Sequence, residues 1–410
     1  MADKAAGPSG GPKQAGPLGG LKVIDISTVV AGPFAAGLMG DYGADIVKVE
    51  MPGAGDSLRA LAPHKDGVPL WWKVTNRNKK GVTLDLRRAE GRDLFAKLVA
   101  GADVLVENFR PGTLDGWGIT RDWLHGLNPR LTILRVTGFG QDGPYAGRPG
   151  FARIFEAMSG FTQICGEEEG RPLHLGYPIS DAVAGLFGAV GVLAALHELA
   201  RDPGRRGQEI DCSATEAMLR TLEFLAIEYD QLGAVRTRSG NRSQYAAPGN
   251  VYRTADGKWA SIAASTQSIF VRLCVALDLR HLPDDPRFAT NPERVKNHRE
   301  LDGIVGAAIA RLTLAALRET LAHHEVGFSP IYDIADVFDD PQFRAREAIV
   351  SVPDDELGPV RMQGVVPRFS RTAGRVRHAG PAVGQHNEEV YGGLGLSAAE
   401  IAALRAARVI

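Results

Sequence analysis

The chain has 410 residues, 44% of them hydrophobic and 23% charged, with a formal net charge of -1. This is the composition of a folded protein that faces water, and the length allows two domains or one large domain with an appendage. A charge this close to zero gives no support for nucleic-acid binding, which needs a clearly basic face, so any anion site must be local.

The first 19 residues are rich in Gly, Pro and Ala and lack the compact apolar centre of a signal peptide. They read as a disordered leader. Order is expected from about residue 20. Leu21 to Ile26 reads as a buried strand, followed by the turn Ser27-Thr-Val-Val-Ala-Gly-Pro33, a helix through Met39, and a second strand from Ala44 to Glu50. That spacing is a βαβ unit and implies a parallel sheet. The pattern recurs with a helix at 90–98 before the strand 103–107, and another helix before the strand 131–137. A long helix is expected from Ser180 to about Ala200. A strand at 208–212 follows, and the pair Ser213 and Glu216 opens a further helix as a capping box.

Composition shifts to Arg, Ser, Gly, Gln and Asn around residues 233–248, as in a crossing between domains. A hairpin is expected over 250–263, with helices over 267–277 and 298–323, so that 225–328 forms a smaller α+β domain. Residues 329–410 then return to complete the large domain begun at 20–224, ending in a helix that starts with the capping box Ser397 to Glu400. The fold class is α/β: a Rossmann-like large domain with an open, mostly parallel sheet, plus the smaller α+β domain.

Cys165, Cys212 and Cys274 are odd in number, widely spaced and form no CxxC pair, as expected of incidental thiols in a reducing compartment. The expected localisation is cytoplasmic. No run approaches the ~18 apolar residues of a membrane helix. The most apolar stretch, Val183 to Leu199, is closed by His197 and Glu198 and reads as a buried helix.

Several chemistries can be set aside. The turn after the first strand has one glycine, Gly32, and no GxGxxG, so a dinucleotide site is unsupported. That turn is either a tight connection only or a place where a ligand meets backbone. There is no Walker A sequence, HExxH or GxSxG, and the adjacent pair His323 and His324 makes a poor chelate because neighbours on a helix diverge. Metal is not expected. Asp181 stands out in Tyr177-Pro-Ile-Ser-Asp-Ala-Val-Ala-Gly, where a helix begins. An acid in a first turn is stabilised by the dipole and free N–H groups. The small residues behind it allow another backbone or a bulky ligand to approach. Asp181 is therefore either a structural cap or a reactive carboxylate.

The segments LKVIDISTVVAGPFAAGLMGDYGADIVKVEMPGAGDSLR (21–59), NRNKKGVTLDL (76–86), ADVLVENFRPGTLDGWG (102–118), GFGQDGPYAGRPGF (138–151) and RRGQEIDCS (205–213), in this order with Asp181 between the last two, resemble the family III CoA-transferases. The group includes formyl-CoA transferase, carnitine CoA-transferase and α-methylacyl-CoA racemase. The resemblance implies an interlocked homodimer, acyl-CoA and a carboxylic acid as substrates, and no tightly bound cofactor, membrane or nucleic-acid partner. It implies CoA transfer with Asp181 as the carboxylate that forms first a mixed anhydride and then a CoA thioester. The family's CoA-contacting segments map onto Val30, Ala31, Leu84, Arg87, Asn108 and Phe109. Arg59, Arg110 and Arg148 are either CoA contacts or structural ion-pair partners, and Lys80 is at most a solvated charge.

Met51 stands where some relatives carry Arg. Phe151 and Ala152 stand where the family's racemases carry a His-Asp pair, which disfavours the alternative of an acyl-CoA racemase or isomerase. A catalytically silent CoA-binding subunit is the other alternative, disfavoured by the presence of Asp181. Phe151, Gln244 and Tyr245 are candidate substrate contacts, the last two in a loop that is otherwise a plain linker. Arg153, Arg171, His174 and Arg242 are charges that suit a second carboxylate on a dicarboxylate substrate.

Overall fold

Six short segments of β-branched and aliphatic residues line up in one parallel sheet. A computed structural model of the chain describes residues 16–410. Strands β1 (Lys22–Asp25), β2 (Asp45–Glu50), β3 (Lys79–Thr83), β4 (Val104–Glu107), β5 (Thr132–Thr137) and β6 (Glu209–Ser213) lie in the order β3-β2-β1-β4-β5-β6. Every pairing is parallel, with Val23 opposite Ile46 on one side of β1 and Val104 on the other. The order reverses between β1 and β4. In an open α/β sheet that switch leaves a crevice beyond the strands' carboxyl ends.

Helices cover both faces. On one face α1 (Ala31–Asp41) and α6 (Ile179–Leu199) pack with Val23, Ile46, Val104, Val106, Leu134 and Val136. Helix α6 is flanked by α5 (Ala152–Met158) and α7 (Ala214–Thr221). On the other face α3 (Ala89–Ala100), α4 (Arg121–Leu127), α11 (Asn387–Gly393) and α12 (Ala398–Ala406) close over Ile24, Val49, Val82, Leu105 and Ile133. A short helix, α2 (Leu70–Thr75), precedes β3.

The chain divides into two compact units. The first comprises 1–161, 175–224 and 344–410; the second comprises 162–174 and 225–343. In the second unit β7 (Gly249–Arg253), β8 (Trp259–Ala263) and β9 (Phe328–Pro330) form an antiparallel sheet in the order β9-β8-β7. Helices α8 (Gln267–Ala276), α9 (His298–Ile309) and α10 (Leu314–His323) supply its core with Phe270, Leu273, Leu301, Val305, Leu317 and Leu321.

Four expectations are corrected. Residues 1–15 of the expected leader lie outside the described residues, but 16–19 form a turn in which the Leu18 N–H donates to Tyr42 O at 2.9 Å. The helix expected over 298–323 is two helices, because the Thr313 hydroxyl caps α10 by accepting from the Ala316 N–H. Ser213 accepts from the Glu216 N–H and caps α7, but the reciprocal half of a capping box is seen at Ser397 and Glu400, not here. Finally, α6 has 21 residues and is long and apolar enough to cross a membrane by length and composition alone. It is also not buried all round. Ala184, Gly188 and Val192 face the sheet, while Leu186, Phe187, Val190 and Leu193 are 41–63% exposed. Among the described residues of the first unit nothing covers that outer face, and periodicity could not reveal it because both faces are apolar.

Helices α1 and α6 touch through glycine. A Cβ at Gly185 would stand 2.8 Å from Ala31 O and 2.8 Å from a Phe34 ring carbon. Gly185→Ala is expected to destabilise the first unit by roughly 1–3 kcal/mol, as overpacking does. Chemical denaturation checks this; an unchanged midpoint would mean that the two helices part freely.

Candidate functional site

The crevice is built on charges that water does not reach. Asp25, Lys48 and Lys79 side chains are wholly buried, and Asp56 nearly so. Lys79 Nζ donates to Asp25 Oδ2 (2.8 Å), Pro33 O (2.7 Å) and Asn76 Oδ1 (2.8 Å). Lys48 Nζ lies 3.7 Å from Asp25 Oδ1 and 3.2 Å from Asp56 Oδ2, and donates to Ser27 O. Burial opposes ionisation of Asp25, but the two lysines outweigh it and hold its carboxyl below the usual range. Burial likewise opposes the Lys48 ammonium, and Asp25, Asp56 and Glu50 together raise it. At Lys79 burial wins and brings the ammonium down to about 8 despite Asp25.

These charges fix the turn between β1 and α1. Ser27 donates to Asp25 through both its N–H and its hydroxyl. The Val29 N–H donates to Asp56 Oδ1 at 3.0 Å, and Asn108 clamps Thr28 from both sides: its Oδ1 accepts from the Thr28 N–H and its Nδ2 donates to Thr28 O, each at 2.7 Å. Val29 has φ 65°, a left-handed conformation that costs a β-branched residue strain and persists only where the surroundings impose it. Gly32 admits no side chain, since a Cβ would lie 2.4 Å from the Ser27 side chain.

Beside this turn is a cavity of about 240 Å³ at the carboxyl ends of β1 to β4. Ile26, Val49, Leu84 and Leu86 form its apolar floor, with Phe109 and Trp117 in edge-to-face contact at 5.2 Å. Thr28, Glu50, Asp56 and Ser57 supply polar atoms, and Met51 and Arg87 complete the lining. The Phe109 N–H donates to Glu107 Oε2 at 2.7 Å; burial pushes the Glu107 carboxyl up to about 7 against that bond and the nearby Arg135. The cavity joins an apolar slot to a polar edge that carries Glu50, Asp56 and Arg87.

Asp181 lies at the start of α6, beside the start of α1, because Gly185 one turn later rests on Ala31. Neither helix has a side-chain cap at its first residue. The Ser180 hydroxyl donates to Ala152 O at 3.0 Å and seats α6 on α5. Burial pushes the Asp181 carboxyl up to about 6, aided by the charge of Glu156. Tyr177, one turn before Asp181, tilts against Trp71 with centroids 6.4 Å apart. A half-buried carboxylate next to two helix starts without side-chain caps can act as a nucleophile, and backbone N–H groups at a helix start can hold an oxyanion.

Of the expected site residues, Leu84, Arg87 and Phe109 line the cavity, Val30, Ala31 and Asn108 form or hold the adjoining turn, and Phe151 and Asp181 stand at the starts of α5 and α6. The Val30 side chain is buried against Leu58 and Trp72, leaving only its backbone toward the crevice. Arg59 is committed elsewhere: it makes a two-pronged bond to Glu50 (2.7 and 2.8 Å), donates to Pro381 O and stacks 3.6 Å above Trp72. Arg87 pairs with Asp85 while its exposed side chain lines the cavity. Arg110 is exposed, and Arg148 lies 3.7 Å above the Tyr145 ring. Phe151 is 78% exposed at the start of α5.

Gln244 and Tyr245 belong to the second unit. There Gln244 accepts from Arg236 at 2.7 Å and donates to Thr237 O, and the Tyr245 ring is exposed. Arg242 pairs with Glu168 at 3.5 Å. Among the described residues no group of three or more His, Cys, Asp or Glu is placed to hold a metal ion. Residues missed from sequence are Asp25, Lys48, Lys79, Asp56, Trp117 and Glu156. Only Asp56 carried a legible signal, as an Asp two residues before Leu58, whose N–H it accepts.

Comparison with known proteins places this geometry among relatives. The profile described as CoA-transferase family III matches residues 18–387. The chain is 43% identical over 396 residues to the succinyl-CoA–D-citramalate CoA-transferase of Chloroflexus aurantiacus, covering 96% of this chain and 98% of that protein. It is 41% identical over 399 residues to the β subunit of that organism's succinyl-CoA–L-malate CoA-transferase, with 96% and 98% covered. The crystal structure of a CAIB/BAIF family protein from Brucella suis superposes with a TM-score of 0.83 at 34% identity, covering 93% of this chain and all of that one.

The two-sided clamp on Thr28 makes a prediction. Asn108→Ala removes both bonds and leaves two half-buried backbone groups unpaired, an expected loss of about 1–3 kcal/mol. Urea unfolding measures it; a loss below ~0.5 kcal/mol, the range of ordinary surface changes, would mean that the strained turn stands without the clamp.

Proposed function

The chain belongs to CoA-transferase family III, and from that membership we propose that it transfers CoA from succinyl-CoA to a carboxylic acid, with Asp181 as the group that carries the acyl unit and then the CoA. The observation that carries the reading is the partly buried Asp181 carboxyl at the uncapped start of α6, against the start of α1.

The steps follow from the chemistry of a carboxylate. An Asp181 oxygen attacks the donor's thioester carbonyl carbon, the C–S bond breaks and CoA leaves as thiolate. The product is a mixed anhydride, and the free N–H groups at the helix starts suit the oxyanion that precedes it. The thiolate attacks the Asp181 carbonyl, releasing the donor acid and leaving an aspartyl-CoA thioester. The acceptor carboxylate repeats both steps in reverse. Holding the thiolate near Asp181 between steps is the task of the CoA site.

We place that site at the cavity: the adenine between Phe109, Trp117 and the apolar floor, with phosphates toward Arg87 and the 28–31 turn. Arg59 serves there by fixing Glu50 and the loop to Asp56, not as a phosphate contact. The two Chloroflexus relatives named above act on succinyl-CoA with a hydroxy-dicarboxylate, which supports acids of that class as acceptors here. The uncovered apolar face of α6, with Phe151, Ile154 and Met158 exposed on α5, supports a homodimer in which a second copy covers it. Phe151 and Ala152 supply no acid or base for racemisation.

Mass spectrometry of the protein after incubation with succinyl-CoA and hydroxylamine is expected to place a hydroxamate on the Asp181 peptide. Asp181→Ala is expected to lose at least ~10³-fold in exchange rate, the scale seen when a catalytic nucleophile is removed, while retaining CoA binding. Exchange by Asp181→Ala near the unaltered rate overturns the reading. Because the attacking form is the carboxylate and its proton is lost near pH 6, exchange is expected to fall as pH drops through about 6. A flat profile from pH 7 to 5 would contradict this.

A further inference from the structure

We infer that Glu107, an acid buried at the end of β4, is a positioning residue for CoA: it holds the Phe109 backbone so that the Phe109 ring stands ready as a wall of the nucleotide cavity. The inference rests on the CoA site proposed above.

The carboxylate sits where two sets of contacts meet. Its Oε2 accepts from the Phe109 N–H at 2.7 Å. Its Oε1 lies 3.7 Å from Arg135 Nε, which in turn lies 2.9 Å from Glu209 Oε2. The parallel sheet brings these groups together. Glu107 stands opposite Arg135 across β4 and β5, and Glu209 opens β6 two residues before Asp211, which stands opposite Arg135 on the other side. Glu107 is 2% exposed and Arg135 6%. A buried carboxylate requires partners for its oxygens. Here one oxygen faces an arginine of the next strand, and the other takes a peptide N–H of the loop that leaves the sheet.

That loop, 108–119, has other anchors, and none of them fixes Phe109 directly. The Asn108 side chain holds Thr28. Leu114 and Ile119 are buried in the core and secure the far half of the loop. The Trp117 N–H donates to Leu114 O at 3.0 Å, so Trp117 is set by that half. Phe109 lies between these anchors, half-buried, with its ring edge-to-face on Trp117. Both rings line the cavity. The bond from the Phe109 N–H to Glu107 therefore sets where the ring starts.

A binding wall that is already ordered spares the ligand the cost of ordering it. A hydrogen bond to an ionised acceptor is also stronger than one to a neutral acceptor. Glu107 thus acts on CoA through Phe109, without touching it, and its effect falls on binding of the nucleotide half and not on the acyl chemistry.

The test compares the unaltered protein with three variants at pH 8, where Glu107 is ionised because burial raises its carboxyl only to about 7. Glu107→Met fills the same space with no acceptor, Glu107→Gln keeps a weaker one, and Phe109→Ala removes the wall itself. Three quantities are read: kcat and KM with succinyl-CoA, kcat/KM with succinyl-pantetheine, which lacks the nucleotide, and the calorimetric Kd of adenosine 3′,5′-bisphosphate. Glu107→Met is expected to raise the succinyl-CoA KM and the bisphosphate Kd by roughly five- to thirtyfold, with kcat changed less than about threefold. Its preference for succinyl-CoA over succinyl-pantetheine is expected to fall by a similar factor, whereas a general structural defect would slow both donors together. Glu107→Gln is expected to shift KM and Kd the same way by roughly two- to fourfold. Should the Met variant fail to fold, as thermal unfolding would report, the Gln variant carries the test. If Phe109→Ala weakens bisphosphate binding but the Glu107 variants leave it unchanged, or slow both donors alike, this inference is overturned while the nucleotide cavity stands. If Phe109→Ala also leaves binding unchanged, the proposed CoA site fails and the inference with it.

Discussion

Everything at the crevice depends on Asp25 meeting two lysines in a dry interior. Asp25 closes β1, Lys48 comes from within β2 and Lys79 opens β3, so the cluster ties three adjacent strands together beneath the turn that follows β1. Lys79 also holds Pro33 O within α1, and Lys48 reaches Asp56 in the loop after β2. Buried pairs are weak sources of net stability because desolvation cancels most of the attraction, yet losing one partner is severe since the other is left charged and dry. Such a cluster specifies geometry. It permits one path for the chain from Ser27 to Ala31, and that path includes a valine in a left-handed conformation.

From this fixed turn the site spreads outward by hydrogen bonds of decreasing burial. Asn108 joins the turn to the end of β4, which sets Phe109 against Trp117. Asp56 joins it to Glu50, whose carboxylate holds Arg59, and Arg59 in turn rests on Trp72 and reaches Pro381 in the C-terminal return. Segments distant in sequence thereby share one rigid frame. The α1–α6 contact through Gly185 adds the start of α6, with Asp181, to it.

Much of this architecture was legible because its signals are local. Strand, turn and helix lengths in 21–50 suffice for a parallel sheet, and Asp181 announces itself by standing just after Pro178 and Ser180 at a helix start. What was illegible depends on partners far apart in the chain. No spacing rule couples Asp25 to Lys79, and the eight residues between Glu50 and Arg59 do not disclose that Arg59 binds Glu50. Nothing local marks Glu156 in Arg-Ile-Phe-Glu-Ala-Met, and only packing shows it dry. The break at Thr313 was hidden because apolar periodicity continues across it. The two faces of α6 were indistinguishable because composition cannot tell a surface waiting for a neighbour from a core.

Two helices of this fold, α1 and α6, start without a side-chain cap, Val30 and Pro178 standing where Ser, Thr, Asp or Asn would ordinarily be found. A cap at each would add about 1 kcal/mol, a gain that directed evolution for thermostability finds readily elsewhere. Here such a residue would occupy the very N–H groups left open beside Asp181. On the role proposed for Asp181, libraries selected for heat resistance alone should therefore drift toward capped, better-folded and less reactive proteins at positions 30 and 178. Those two positions mark where robustness and reactivity pull the sequence in opposite directions.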